Sequence, residues 1–321
     1  MIPVLIDCDP GLDDSIALLL ALASPELDVL GVTTVAGNQT LGKVTANALR
    51  VLELAGRNDV PVAAGADGPL ARELVVAADA HGESGLDGSG LPPPRGLPLR
   101  EHAVDLLADR LLTADAPVTL AALGPLTNVA LLLAQKPEAA ERLDRIVLMG
   151  GAIGAGNMTP AAEFNIWVDP EAAARVFAAG LDVTMVDLDV TNEAVLTTED
   201  ADWLRGTGAI GQAVAGMLDF YGGFYRETYE FAGAPIHDAV ALAHVIRPDL
   251  VRTLERHVAV DLGSGLCRGR TVVDTRRRRL GAEPANARVA FEIDAPAFRD
   301  FLLERLGAPV QGLPRVSGPA R

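Results

Sequence analysis

The chain has 321 residues, 49% of them hydrophobic, and carries 43 acidic against 27 basic residues for a formal charge of -16. That composition supplies a large core, and its acidity argues against a nucleic-acid-binding surface. Cys8 and Cys267 are too few for a disulfide scaffold, no apolar run reaches membrane-spanning length, and the first twenty residues lack a basic secretory start, so a cytoplasmic protein with no membrane partner is expected.

The apolar run Ile2 to Ile6 reads as a buried strand and Ser15 to Leu22 as a buried helix, with Asp7-Cys8-Asp9-Pro10-Gly11-Leu12-Asp13-Asp14 between them. Pro10 and Gly11 make the turn sharp. The period of two puts Asp7 and Asp9 on one strand face, while Asp13 and Asp14 open the helix. Four carboxylates at a core boundary need protons or a cation to offset their charge, and an oxygen-only set suits a hard divalent ion. Asp9, Asp13 and Asp14 therefore predict a metal-centred polar site; Asp7 reads equally as a structural acid or a site acid. The whole run resembles the amino-terminal signature of the nucleoside hydrolases, calcium-dependent enzymes that cleave the N-glycosidic bond of ribonucleosides.

Asp28 to Gly37 is a second strand candidate, followed by Asn38 and a helical pattern over 41–56. Asn38 suits either a helix cap or an amide that orients a carboxylate. The Val-Ala-Gly-Asn segment that it ends resembles the family's second conserved segment, which implies the latter. Pro61 to Gly65 is a short third strand. From about Leu74 to Leu99 periodicity is lost in a glycine-rich connection of a length that is usually functional or disordered. Within it, His81 heads a His-Gly-Glu-Ser-Gly segment that the resemblance places near the ribose and base. Glu101 to Leu112 reads as a helix, Val118 to Leu123 as a strand, and Asn128 as a cap or orienting residue for the helix after it. The Leu123 carbonyl stands at a strand exit, where it can ligate a hard cation whatever its side chain. The resemblance implies that it does.

Asp144 to Met149 is another strand, after which Asn157, Glu163 and Asn165 offer groups suited to vicinal hydroxyls. Glu163-Phe164-Asn165, with the helix start at Asp169-Pro170-Glu171, is a second match to the family. Leu181 to Val186 is a strand, Asp187 to Thr191 its exit loop, and 198–205 and 209–229 are helical. The second of these helices ends in Phe220, Tyr221, Phe224, Tyr225 and Tyr229, which suit a packed core, a subunit contact or a base-binding lid. His237 and Asp238 open an apolar helix through Ile246; the resemblance carries metal ligation to Asp238 and a base-facing place to His237, while His244 packs further down. Beyond Leu254 come short strands, Glu255 to Val260 and Arg270 to Asp274. Arg276 to Arg279 reads as an exposed turn or salt-bridge patch. A terminal helix from Ala295 to Leu306 precedes a Gly/Pro-rich tail.

The expected fold is α/β: a single large domain over 1–321 with a mostly parallel mixed central sheet flanked by helices, Rossmann-like. The resemblance implies hydrolysis of purine and/or pyrimidine ribonucleosides to free base and ribose, of the inosine-uridine preferring type, by a homodimer or homotetramer. In that reading Asp9, Asp14, Asp238 and the Leu123 carbonyl hold Ca2+, Asp9 also activates water, and His237 protonates the leaving base. Asp13, Asn38, His81, Asn157, Glu163, Phe164, Asn165, Tyr225 and Tyr229 bind the ribonucleoside. The alternatives are a binding homologue without activity and a metal-dependent phosphohydrolase, the latter without a Walker phosphate loop to support it.

Overall fold

The computed structural model describes residues 1–276 and 283–307; Arg277 to Arg279 and the Gly/Pro-rich tail lie outside the described residues. β1 (Ile2–Cys8) leads through the acidic turn into α1 (Leu12–Ala23), and β2 (Leu27–Thr34) leads into α2 (Leu41–Leu54). β3 (Val62–Ala64) precedes the long connection, which holds the single turn α3 (Ala78–His81). The alternation resumes with α4 (Ala103–Thr113), β4 (Val118–Ala122), α5 (Thr127–Gln135), α6 (Pro137–Ala140) and β5 (Leu143–Met149). α7 (Phe164–Val168), α8 (Pro170–Phe177), β6 (Val183–Val186) and α9 (Leu188–Thr191) follow. Then come β7 (Val195–Leu196), α10 (Thr198–Arg205), α11 (Ala209–Tyr229), β8 (Ala234–Pro235) and α12 (His237–Ile246). β9 (Val251–Arg256), β10 (Val258–Val260), β11 (Thr271–Val273), β12 (Ala287–Ile293) and α13 (Ala295–Gly307) complete the described chain.

The main sheet has the order β3-β2-β1-β4-β5-β6-β12-β9. Its neighbours pair in parallel except β12 with β9. The fold is thus the expected mostly parallel mixed sheet between helices. Successive strands run outward from β1 on one side and from β4 on the other, so the crevice between β1 and β4 is the topological switch point where such sheets bind ligands. The acidic turn leaves β1 at that point.

Two apolar clusters cover the two faces of the sheet, one built around α1, α2, α11, α12 and α13, the other around α4, α5 and α8. α1 and α12 pack on each other, and both are buried nearly all round, which is why their sequences show leucine, alanine and valine without a polar stripe. Each fully buried leucine, such as Leu18 or Leu20, contributes about 1.5–3 kcal/mol relative to exposure. The pairing matters for function because it sets Asp13 and Asp14 at one helix start beside Asp238 at another.

Two local expectations differ from the structure. The loop expected at 187–191 is one turn of helix, α9, because the Asp187 carboxylate accepts the Asp189 backbone N–H and caps it. The strand expected at 255–260 is divided at His257: β9 pairs with β12 in the main sheet, whereas β10 pairs with β11 in a separate ribbon. Arg276 forms an ion pair with Asp274, in keeping with a local salt-bridge patch.

Candidate active site

The acidic turn is held by its own backbone. Asp14 accepts the N–H groups of Asp9 at 3.1 Å and Gly11 at 3.0 Å, and the Asn38 side-chain amide at 2.9 Å. Asn38 also donates its backbone N–H to Asp9 Oδ2 at 2.6 Å, so it orients two carboxylates rather than capping α2. Asp9 Oδ1 is buried and has no hydrogen-bond partner among the described residues. Glycine is required on both sides of this carboxylate: a Cβ on Gly37 would stand 2.1 Å from Asp9 Oδ2, and one on Gly124 2.5 Å from Oδ1. Asp7 points elsewhere. Its Oδ1 accepts Thr33 Oγ1 at 2.5 Å and Asn128 Nδ2 at 2.8 Å, which fastens β1 to its neighbours.

One carboxylate oxygen each from Asp13, Asp14 and Asp238 lies within 4.8 Å of the others. Burial, and then the Asp14 charge, pushes Asp9 and Asp238 well above the carboxylate range and Asp13 up to about 8; burial raises Asp14 as well. Among the described residues, no Lys or Arg lines the adjoining cavity to offset these charges. An unpartnered buried Asp9 oxygen beside three converging carboxylates is the donor chemistry of a hard divalent cation, so these residues fit one.

The cavity above the acids has a volume of about 650 Å³, in the range of small-ligand sites. Asp13, Asn38, His81, Leu123, Asn157, Glu163, Phe164, Asn165, Tyr225, Tyr229, His237 and Asp238 all line it, which brings most of the sequence-predicted residues together; Asp9 and Asp14 pack beneath. The Leu123 carbonyl accepts Asn165 Nδ2 at 2.7 Å, and the same amide reaches the Met149 carbonyl at 3.2 Å, so Asn165 ties the exits of β4 and β5. Glu163 caps α7 by accepting from Asn165 N, Ile166 N and Gly151 N. Burial raises it to about 7 against the pull of these N–H groups. Asn157 is fixed by accepting the Phe164 N–H at 2.9 Å, and its own carbonyl accepts Tyr229 Oη at 3.1 Å across the cavity.

Both His237 nitrogens are engaged: Nδ1 with Thr191 Oγ1 and Nε2 with Tyr225 Oη, each at 2.8 Å. Burial pushes His237 down to about 4 and His81 to about 3, which favours the neutral imidazole in both near pH 7. His81 Nδ1 accepts the Leu12 N–H at 3.1 Å, which makes Nε2 its protonated nitrogen. Of the aromatic cluster of α11, Tyr221, Phe224, Tyr225 and Tyr229 line this cavity and Phe220 is exposed; Tyr221 packs on His81 with ring centroids 5.2 Å apart. Sequence reasoning missed Thr191 and Tyr221 as site residues. Tyr221 had a signal, its spacing of four from Tyr225 on one helix face; Thr191 had only its place in the Asp187 to Thr191 strand exit, which resembles the family's, because the fold alone sets α9 beside α12. His244 packs away from the site, as expected.

A family profile described as inosine-uridine preferring nucleoside hydrolase matches residues 4–300. The chain is 51% identical over 307 residues to a pyrimidine-specific ribonucleoside hydrolase of Citrobacter koseri, covering 95% of this chain and 98% of that one. It is 50% identical over 306 residues to its Shewanella sp. counterpart, covering 95% and 96%. Among solved structures, a purine-preferring ribonucleoside hydrolase from Gardnerella vaginalis matches with a TM-score of 0.89 at 33% identity, covering 95% of this chain and 98% of that one. A plant nucleoside hydrolase matches with a TM-score of 0.90 at 34% identity, covering 96% and 99%.

Proposed function

The chain belongs to the inosine-uridine preferring nucleoside hydrolase family, and on that premise we propose that it hydrolyses pyrimidine ribonucleosides to free base and ribose with calcium as its cofactor. Its activity class is that of a ribonucleoside N-ribohydrolase. The observation that carries the reading is the meeting of Asp13, Asp14 and Asp238 at the base of one cavity that the His237–Tyr225 pair also lines. The pyrimidine preference rests on the names of relatives at about half identity and narrows the broader base range implied by the sequence.

Asp14, Asp238, Asp9 and the Leu123 carbonyl would hold the cation, with Asp13 beside them. When bound, a hard cation neutralises the acids and supplies an anchor for water and vicinal hydroxyls. Asp9 Oδ1 is the proton acceptor for the attacking water, since Asn38 holds the other oxygen and leaves this one without a partner. Asn157, Glu163 and Asn165 shape the ribose side of the cavity. The water adds hydroxyl to C1′ as the C1′–N bond breaks, and the bonding pair leaves with the base nitrogen, which takes up a proton.

That proton comes from the hydroxyl of Tyr225. If Thr191 donates to His237 Nδ1, the ring donates from Nε2 to the Tyr225 oxygen, and the Tyr225 proton is available to the departing base. Burial raises the Tyr225 hydroxyl above its ordinary range, so the phenolate that this step leaves is held by the His237 Nε2–H until it takes a proton back from solvent, and His237 acts through Tyr225. A panel of uridine, cytidine, inosine and 2′-deoxyuridine, assayed for free base and ribose, tests the reading. Hydrolysis of uridine and cytidine over inosine, with weak action on 2′-deoxyuridine, is expected. Equal rates on uridine and inosine would overturn the pyrimidine preference, and equal rates on the deoxynucleoside the diol recognition. We also propose a homodimer or homotetramer, tested by light scattering.

A further inference from the structure

Gln39, Lys43 and Asn47 are spaced four apart on one face of the segment that enters and forms α2. Each side chain donates to one of three consecutive carbonyls just past His81. Gln39 Nε2 reaches Gly82 O at 3.0 Å, Lys43 Nζ reaches Glu83 O, and Asn47 Nδ2 reaches Ser84 O at 2.9 Å. The helical repeat lays the donors in a row, and the loop runs alongside with its carbonyls facing them. The other side of the same loop is held by Asp87, which accepts the N–H groups of Glu83 and Ser84. Every carbonyl and two of the amides of 82–84 are thereby engaged by side chains. Gly82 permits the bend with φ of 79° and the close approach of Asp87, 2.2 Å from where a Cβ would sit.

Asn47 does more than hold the loop. It is buried, and the same Nδ2 donates to the Pro10 carbonyl at 3.0 Å, inside the acidic turn between Asp9 and Gly11. One amide therefore ties the loop that carries His81 to the turn that carries Asp9 and Asp14. His81 closes the same circuit by accepting the Leu12 N–H.

We infer that Gln39, Lys43 and Asn47 are positioning residues: they hold His81 against the acidic turn at the distance the bound ribonucleoside requires, with Asn47 setting the relation between the two segments. The inference rests on the reading of His81 as a substrate-contacting residue. An apolar residue at 47 would take this donor from the buried Pro10 carbonyl and the half-buried Ser84 carbonyl, and a displaced loop would carry His81 out of register with the acids.

The test is a double-variant cycle between Asn47→Ala and His81→Ala, with kcat/KM on uridine as the readout, and melting temperature and bound calcium measured on each variant. Asn47→Ala is expected to lower kcat/KM about 10- to 100-fold while the protein stays folded and metal-loaded. In the His81→Ala background the same change is expected to cost under about three-fold, because the group it positions is gone. A loss of the same size in both backgrounds would overturn the inference, since a purely structural asparagine acts whether or not the histidine is present. His81→Ala alone separates the premise from the inference: near-normal kcat/KM in that variant would overturn the role of His81 and the inference with it. Should Asn47→Ala fail to fold, Gln39→Ala and Lys43→Ala, which touch the loop and not the Pro10 carbonyl, carry the same cycle with the same criterion.

Discussion

Replacing Tyr225 with phenylalanine removes one oxygen from the cavity and keeps the ring. That oxygen lies 2.8 Å from His237 Nε2 and 3.4 Å from Tyr221 Oη, in a side chain that is 6% exposed. Losing it leaves the Nε2 of a buried histidine without a partner, at about 1–3 kcal/mol of stability. A domain with the usual margin of about 5–15 kcal/mol stays folded after that loss. The chemical effect is larger. A positioned proton donor contributes about 10²–10⁴-fold, or about 2.7–5.5 kcal/mol of barrier, to departure of a base that must be protonated. A ribosyl substrate with a nitrophenolate leaving group needs no proton, so there the variant is expected to retain activity within a few-fold. Single-turnover cleavage of uridine and of nitrophenyl riboside, with a melting curve on the same preparation, makes the comparison. Equal losses on the two substrates would refute the proton path through Tyr225.

Asp9→Asn, with calcium content measured separately, is expected to lose about 10²–10⁴-fold in turnover; near-normal turnover in a metal-loaded variant would remove Asp9 as the base. Chelation of divalent cations is expected to abolish activity and lower the melting temperature, with calcium restoring both, because four buried carboxylates then lose the cation that offsets their charge and have only protons to replace it. A melting temperature indifferent to chelator and to calcium would sink the metal assignment. His244 gives a pH prediction remote from the site: burial holds it at about 4 against its ordinary 6.5, so the folded state binds fewer protons than the unfolded one between these values. Its contribution is therefore present above pH 6.5 and lost as pH falls toward 4, about 2 kcal/mol by pH 5. His244→Leu should flatten the fall of stability from pH 7.5 to 5 measured by urea titration, and an unchanged slope would contradict the burial argument.

The acidic turn was legible because everything that makes it is local. A strand period of two, Pro10 and Gly11 at the bend and a helix start bring Asp9, Asp13 and Asp14 together within one short stretch, and no distant residue is needed to see it. The alternation of strands and helices was legible for the same reason, since burial on both faces of a parallel strand writes a continuous apolar run. Family resemblance extended this to Asp238, Asn38 and His237. Tertiary structure alone decided which long-range partners each of these would find. Packing of α1 on α12 brings Asp238 to Asp13 and Asp14, and the exit of β6 brings Thr191 under His237. The engagement of Tyr225 with His237, and the grip of Asn47 on both the Pro10 and Ser84 carbonyls, arise between segments far apart in the chain. β9 and β12 likewise pair although β10 and β11 lie between them in the chain. A side-chain hydrogen bond between remote segments leaves no period in the sequence, because its donor and acceptor are chosen by the backbone path between them. The three-dimensional fold was therefore needed to separate a set of polar residues from a working arrangement of them.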